Sequence, residues 1–172
     1  MNARSLSRPA LGVVLIIVFF TLFRGMTNIL NALLVPLTMI MVTEPESPGH
    51  RAVFMLAAVL VVFLFHPHQL VFMLLYVLMS SVYRMMKRQD ISVGLRVLGL
   101  GILAGVGFWG AILATDALFG TRIHAFMLML AGGSLPRLLL IMLGEGLLIA
   151  LLLVLGGRFL ERRLNRVIYP GV

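Results

Sequence analysis

The chain has 172 residues, of which 61% are hydrophobic and 12% are charged, and its mean hydropathy is +1.10. Soluble domains carry about 25% charged residues, so this composition excludes a water-soluble fold and indicates a polytopic α-helical membrane protein. The net charge of +8 more often reflects orientation than a nucleic-acid partner in such proteins, so no nucleic acid is expected. The absence of cysteine excludes disulfides, thiolate metal sites and cysteine nucleophiles.

Two short apolar segments open the chain. The first runs from Pro9 to Phe23, and because no small-residue cleavage site precedes Arg24, it is predicted to be a retained helix rather than a signal peptide. The second runs from Ile29 to Val42 and ends at the loop TEPESPGHR, which is rich in proline and charge. Both are shorter than the roughly 20 residues that usually cross the hydrocarbon. To span it, they would need a locally thinned bilayer or polar flanking residues that extend into the headgroups.

Residues 52–83 carry no Asp, Glu, Lys or Arg but are too long for one crossing. The segment HPHQ interrupts them at 66–69, and Pro67 cannot easily continue a helical hydrogen-bond ladder. The pattern favours a tight hairpin of two short helices, with one long kinked helix as the alternative.

The remaining segments follow the hydrophilic loop RMMKRQDISVGLR. One apolar span is predicted over 97–115 and the last over 138–157. Residues 123–134 between them are apolar but too short to cross, so they are predicted to form a re-entrant or interfacial half-helix. Since no polar stretch is long enough for a soluble domain, residues 1–172 are predicted to form a single transmembrane domain.

The positions of lysine and arginine predict the orientation, because cytoplasmic loops carry an excess of these residues. With six spans and both termini cytoplasmic, only Arg24, Arg122 and Arg137 of the 14 basic residues lie outside. Merging 52–83 into one helix would weaken this bias. The predicted fold is therefore all-α, a bundle of about six short transmembrane helices. We expect it in the bacterial cytoplasmic (inner) membrane.

The span over 97–115 carries a strong packing signal. Gly94, Gly101 and Gly105 recur at spacings of seven and four residues, which places them on one helix face. Small residues on one face let transmembrane helices approach closely, in lipid where apolar burial gives no driving force. Close packing within this chain is the favoured interpretation, and a docking face for another membrane subunit is the alternative.

Unusual polar residues gather on the outer half of this topology, where they could line a cavity that opens outward. Ionisable groups inside a membrane cost about 2.5–3.5 kcal/mol on insertion scales, so they usually face protein or water and mark function. Glu145 in the sequence GEG could form a structural ion pair, contact a ligand or relay protons. The predicted solute-binding residues are Glu145, Arg137, Arg24, Asn28, His66, His68 and Asp116.

Motifs for metal binding or catalysis are weak. His66 and His68 could supply two imidazoles, with His124 or Asp116 completing a set, but histidines on either side of a proline are not a fixed chelate. Asp116 and Arg122 flank a short loop, where a loop ion pair is their ordinary role. The sequence has no His-Glu-x-x-His, Gly-x-Ser-x-Gly or phosphate-binding motif. A non-enzymatic protein without metal or cofactor is therefore predicted.

The stretch VPLTMIMVTEPESPGHRAVFMLAAVLVVFLFHPHQLVFMLLYVLMSSVYRMMKRQ resembles the layout of YybS-like membrane proteins. It has a proline-led segment, a short loop and a paired hydrophobic hairpin that ends in a basic loop. Size and span number are also similar to the substrate-binding subunits of energy-coupling factor transporters. That resemblance implies a six-helix bundle with an outer vitamin or metal site, a partner transmembrane subunit and cytoplasmic ATPases.

Those binding subunits often dock through an Ala-x-x-x-Ala pattern on the first helix, whereas here the first helix has only Ala10 and Gly12 as small residues. The chain also resembles the MreD-type rod-shape protein in size and span number, which implies a scaffold in cell-wall synthesis. We therefore expect a membrane subunit that binds a small polar or anionic solute from the outer side, as part of a transporter. The alternative is a structural scaffold in a bacterial envelope or cell-shape complex.

Overall fold

The computed structural model describes residues 3–23, 29–43 and 47–168, with side chains from 8 to 160 within those ranges. In this part of the chain every regular element is helical, and a single 3-10 turn separates two of the helices. The helices are α1 (Ala3–Leu22), α2 (Ile29–Thr43), α3 (Pro48–Phe65), the 3-10 turn (Pro67–Gln69), α4 (Leu70–Arg88), α5 (Val93–Phe119), α6 (Ile123–Leu130) and α7 (Leu135–Ile168).

Four helical segments are long and apolar enough to cross a membrane, which makes this a helical membrane protein. They lie in α3, in α4 with its preceding 3-10 turn, in α5 and in the first 26 residues of α7. The apolar parts of α1 and α2 are shorter, at Arg8–Leu22 and Ile29–Thr43. The all-helical class is thus confirmed, while the count of six crossings and the cytoplasmic termini stay predictions.

The chain reverses at His66, as the proline pattern indicated. Residue His66 leaves the helical region with φ −140° and ψ 62°, and the 3-10 turn begins at Pro67. Because Pro67 has no backbone N–H to donate, the α3 ladder cannot run through it. Helices α3 and α4 then pack against each other, so this region is a hairpin and not one kinked helix.

The connection between α4 and α5 is shorter than the hydrophilic stretch had suggested. Helix α4 continues to Arg88 and α5 begins at Val93, so much of the charged segment is helical. Asp90 ends α4 in the left-handed region (φ 52°), and the Ile91 N–H donates to the Met86 carbonyl at 3.1 Å. The buried Arg96 secures the loop, since its Nε donates to the Ile91 carbonyl at 2.7 Å.

Helices α5 and α7 form the most extensive pair in the bundle, and glycines make their close approach possible. A Cβ built on Gly146 would lie 2.5 Å from both the Gly101 carbonyl oxygen and the Gly105 amide nitrogen. A Cβ on Gly105 would lie 3.0 Å from the Leu143 Cα. The two backbones therefore touch directly, as in other small-residue crossings of membrane helices.

Gly94 does not take part in this crossing. It lies in the first turn of α5, and a Cβ built on it would meet no atom within 4 Å. The α7 glycine that does take part, Gly146, was not among the residues predicted for helix packing. The helix-packing set of the α5–α7 crossing is therefore Gly101, Gly105 and Gly146.

Aromatic side chains fill the space between α1, α4 and α5. The Phe20 and Tyr76 rings stack with centroids 6.1 Å apart, and Phe108 meets Tyr76 edge-on at 6.4 Å. Tyr76 is completely buried, and its hydroxyl has no hydrogen-bond partner among the described residues. A buried hydroxyl without a partner loses its hydration and gains nothing in return.

We therefore expect Tyr76→Phe to stabilise the purified protein. Removal of an unpaired buried hydroxyl should raise the free energy of unfolding by about 1 kcal/mol, which raises Tm by roughly 2–4 °C for a chain of this size. Thermal denaturation of both proteins in the same detergent measures the change. A lower Tm for Tyr76→Phe would show that the hydroxyl has a partner that stabilises the fold.

Candidate functional site

The described members of the predicted solute-binding set lie at two different levels of the bundle. Arg24 and Asn28 lie outside the described residues. His66, His68, Asp116 and Arg137 lie near the end of the bundle that holds α6, here called the α6 end. Glu145 lies deeper, in the middle of α7.

Asp116 serves as the cap of α6, so its carboxylate is already occupied. Its Oδ1 accepts hydrogen bonds from the Thr121 hydroxyl and, at 2.9 Å, from the Ile123 amide. Its Oδ2 accepts from the His124 amide at 2.8 Å. Since the first amides of a helix have no partner within it, a carboxylate at this place stabilises the start of α6. Cap formation, rather than an ion pair with Arg122 or a solute contact, is the role that the structure gives Asp116.

Three histidines at the α6 end each contact an aromatic ring. His66 lies 6.2 Å from Phe20 between ring centroids. His68 meets Phe119 edge-on at 5.0 Å, and His124 meets Trp109 in the same way at 5.0 Å. Side chains such as histidine and tryptophan combine an apolar ring body with a polar N–H group. They are typical of the interface between membrane and water.

His66 also links two elements of the bundle. Its Nε2 lies 3.2 Å from the Thr21 Oγ1, which places the α3–α4 turn against the end of α1. Each of the three histidines therefore contacts a different aromatic residue. Within the part of the chain that the structure describes, no group of three His, Asp or Glu side chains is arranged to hold a metal ion.

Arg137 is exposed in the first turn of α7 and lies over the preceding turn. A Cβ built on Gly132 would be 3.4 Å from the Arg137 Nη1, so the guanidinium group lies beside the α6–α7 connection. Along α7, Arg137 is eight residues from Glu145, or about 12 Å at 1.5 Å per residue. The arginine does not extend toward Glu145.

Among the described residues of the predicted site, only Glu145 lies in the middle of a candidate membrane span. Its side chain is partly buried, and it makes no hydrogen bond or ion pair with another described residue. It directly precedes Gly146, so its backbone is fixed by the α5–α7 crossing. The position of the Glu145 backbone is therefore constrained, while its carboxylate makes no bond to another described residue.

The two carboxylates once expected to share a cavity are far apart. Gly101 packs against Leu147, and Gly105 packs against Leu143. Because the numbers rise along α5 as they fall along α7, the two helices run antiparallel at this crossing. Asp116 lies beyond Gly105 toward the α6 end, whereas Glu145 lies beyond Leu143 toward the other end. Their separation along the bundle is about 20 Å at 1.5 Å per residue. A small solute could not contact both.

Comparison with protein-family models, with curated proteins and with solved structures finds no match to this chain. Its function is therefore inferred from the arrangement of its own residues.

Two buried hydroxyl groups were not predicted from the sequence. Those of Tyr76 and Thr115 have no hydrogen-bond partner among the described residues, although both side chains are fully buried. Tyrosine and threonine are ordinary residues in apolar helices, and their burial depends on which helix faces which. Periodicity along one helix could not have identified them.

Proposed function

We propose that this protein is a non-enzymatic membrane subunit that binds a small polar solute, with Glu145 as the residue that contacts it. The observation that carries the proposal is a partly buried carboxylate in the middle of α7 that makes no hydrogen bond or ion pair with another described residue. Such a group is costly in a membrane, and a solute that binds it would offset this cost.

The surroundings of Glu145 favour a solute with hydrogen-bond donors or a positive charge at the contact point. The carboxylate only accepts hydrogen bonds when it is ionised. Arg137, which would have favoured an anionic solute, lies beside Gly132 and about 12 Å along the helix from Glu145. Of the polar and anionic solutes expected from the sequence, the polar class is therefore the one we propose.

The finer topology belongs to the same proposal. Six crossings with both termini in the cytoplasm place Arg122 and Arg137 outside, in the bacterial inner membrane, and put the α6 end on the outer side. The solute would then reach Glu145 from outside. A partner transmembrane subunit and cytoplasmic ATPases would supply the energy for transport, as the resemblance to energy-coupling factor transporters implies.

The experiment is a thermal-shift screen of the purified protein against small amines, amino acids and vitamins, followed by titration of the compound that stabilises it. Glu145→Gln should bind that compound about ten-fold more weakly or worse, because a hydrogen bond to a charged group contributes about 1.5–3 kcal/mol. Asp90→Asn is the matched control, since it removes an exposed carboxylate at the α4–α5 loop and should leave affinity unchanged.

Unchanged affinity in Glu145→Gln would reject the site. Arg137→Ala tests the charge of the solute, because a large loss there would indicate an anionic group. Mass spectrometry of proteins that co-purify with the native protein separates the two functions. ATPase subunits would support transport, whereas cell-wall proteins without any solute binding would indicate the scaffold.

A further inference from the structure

Helix α6 carries apolar side chains on both of its faces. Ile123, Met127 and Leu128 pack against the bundle core, while Met129 and Leu130 are 66% and 64% exposed. No charged residue occurs between Ile123 and Leu130. With 8 residues the helix is about 12 Å long, which is too short to cross a membrane.

At both ends of α6, several backbone groups that the helix itself leaves unpaired find partners within the protein. Asp116 accepts from the first two amides, as described above. At the other end Gly132 adopts φ +68°, its amide donates to the Met129 carbonyl at 3.0 Å, and the Gly133 amide donates to the Leu128 carbonyl at 2.8 Å. This is a Schellman ending, which pairs the Leu128 and Met129 carbonyls without water.

Paired ends are what hydrocarbon requires of a short helix. No water is available there, so each unpaired amide or carbonyl would cost several kcal/mol. On an aqueous surface the same groups could bind water, and an exposed apolar face would be unfavourable. The exposed side chains Met129 and Leu130 of α6 are apolar, and so are many exposed side chains on its neighbours α5 and α7.

Charged and aromatic residues mark the level of the lipid headgroups beside α6. Arg122 directly precedes the helix and is exposed, and Arg137 is exposed just after the connection to α7. Arginine at such places can reach the phosphate groups while its stem stays in apolar surroundings. Trp109, in contact with His124, is of the residue type enriched at this depth.

We propose that α6 is embedded in the hydrocarbon of a single membrane leaflet, covered by lipid acyl chains, and that Asp116 holds it there. The two amide bonds fix the start of the helix to the end of α5, and the Thr121 hydroxyl bond fixes the loop between them. The carbonyl of Asp116 also accepts the Gly120 amide at 3.0 Å, which ends α5. One residue thus ends one helix and begins the next.

The absence of native cysteine permits a direct test with spin labels. The full-length Met129→Cys protein is labelled, reconstituted in phosphatidylcholine vesicles and measured by electron paramagnetic resonance with oxygen and with a water-soluble nickel complex. Leu148→Cys, on the exposed apolar face of α7, gives the hydrocarbon reference, and Ser92→Cys, in the exposed α4–α5 loop, gives the aqueous one. We expect the label at 129 to match the label at 148, accessible to oxygen and protected from nickel.

A label at 129 as accessible to nickel as the one at 92 would overturn the embedding. The role of Asp116 is tested by adding Asp116→Ala to Met129→Cys, which should restore nickel access at 129 several-fold. Thr121→Val, which removes only the hydroxyl bond, should change it much less. If Asp116→Ala leaves the label protected, the holding role of Asp116 is wrong, and the first measurement stands independently of that variant.

Discussion

Replacement of Gly146 with alanine is expected to give the largest loss of stability among glycine-to-alanine changes at the described glycines. The new Cβ would lie 2.5 Å from the Gly101 oxygen and from the Gly105 nitrogen, and neither backbone atom can turn away as a side chain could. Helices α5 and α7 would have to separate. Overpacking of this kind costs about 1–3 kcal/mol, so Tm should fall by roughly 2–12 °C.

The same helix supplies the matched control. A Cβ on Gly144, two residues away, would meet no atom within 4 Å, so Gly144→Ala should leave Tm unchanged or raise it slightly through better helix propensity. Thermal denaturation of the two variants in one detergent compares them directly. Equal stability of Gly146→Ala and the native protein would contradict the close crossing.

Glu145→Gln is expected to stabilise the solute-free protein. The carboxylate has no partner among the described residues, and charge in the middle of a span costs about 2.5–3.5 kcal/mol on insertion scales. Since the side chain is only partly buried, removal of its charge should recover a part of this, about 1–2 kcal/mol, and raise Tm by roughly 2–8 °C. Loss of solute binding together with a gain in stability is the signature of a functional residue.

A fall in Tm would instead identify Glu145 as one half of a structural ion pair. Asp90→Asn again serves as the control, because that carboxylate is exposed outside the spans and its removal should leave Tm nearly unchanged. The measurement must be made without the solute, since a bound solute would stabilise only the native protein and reverse the comparison.

The parts of the fold that depend on local sequence were predictable. Apolar segments and the break at Pro67 defined α3 and α4, because a proline removes a backbone donor from the helical ladder. Proline alone is not decisive, since Pro9 and Pro36 lie inside α1 and α2. The spacing of Gly101 and Gly105 also placed them on one face of α5. The extent of α6 was less well predicted, since Ile123–Leu130 is shorter than the expected 123–134 and its end depends on the turn at Gly132.

The parts that depend on which helices meet were not predictable. Asp116 was expected to line a cavity, but it caps a helix that begins seven residues later, and this requires the chain to fold back over the α5 end. Gly94 fits the spacing of the packing face but lies too near the start of α5 to meet α7. Asp116 and Glu145 were both expected in the outer half of the bundle. The antiparallel crossing of α5 and α7 instead places them about 20 Å apart along the bundle.

The close crossing of α5 and α7 also bears on the order in which the protein assembles. Chains are made from the N-terminus at about 5–20 residues per second, so α5 enters the membrane before the helix that covers its glycines has been synthesised. Until α7 arrives, the backbone at Gly101 and Gly105 faces lipid or the insertion machinery. A chain stopped within α6 would therefore present this uncovered groove, and membrane quality-control proteases could recognise it as unfinished.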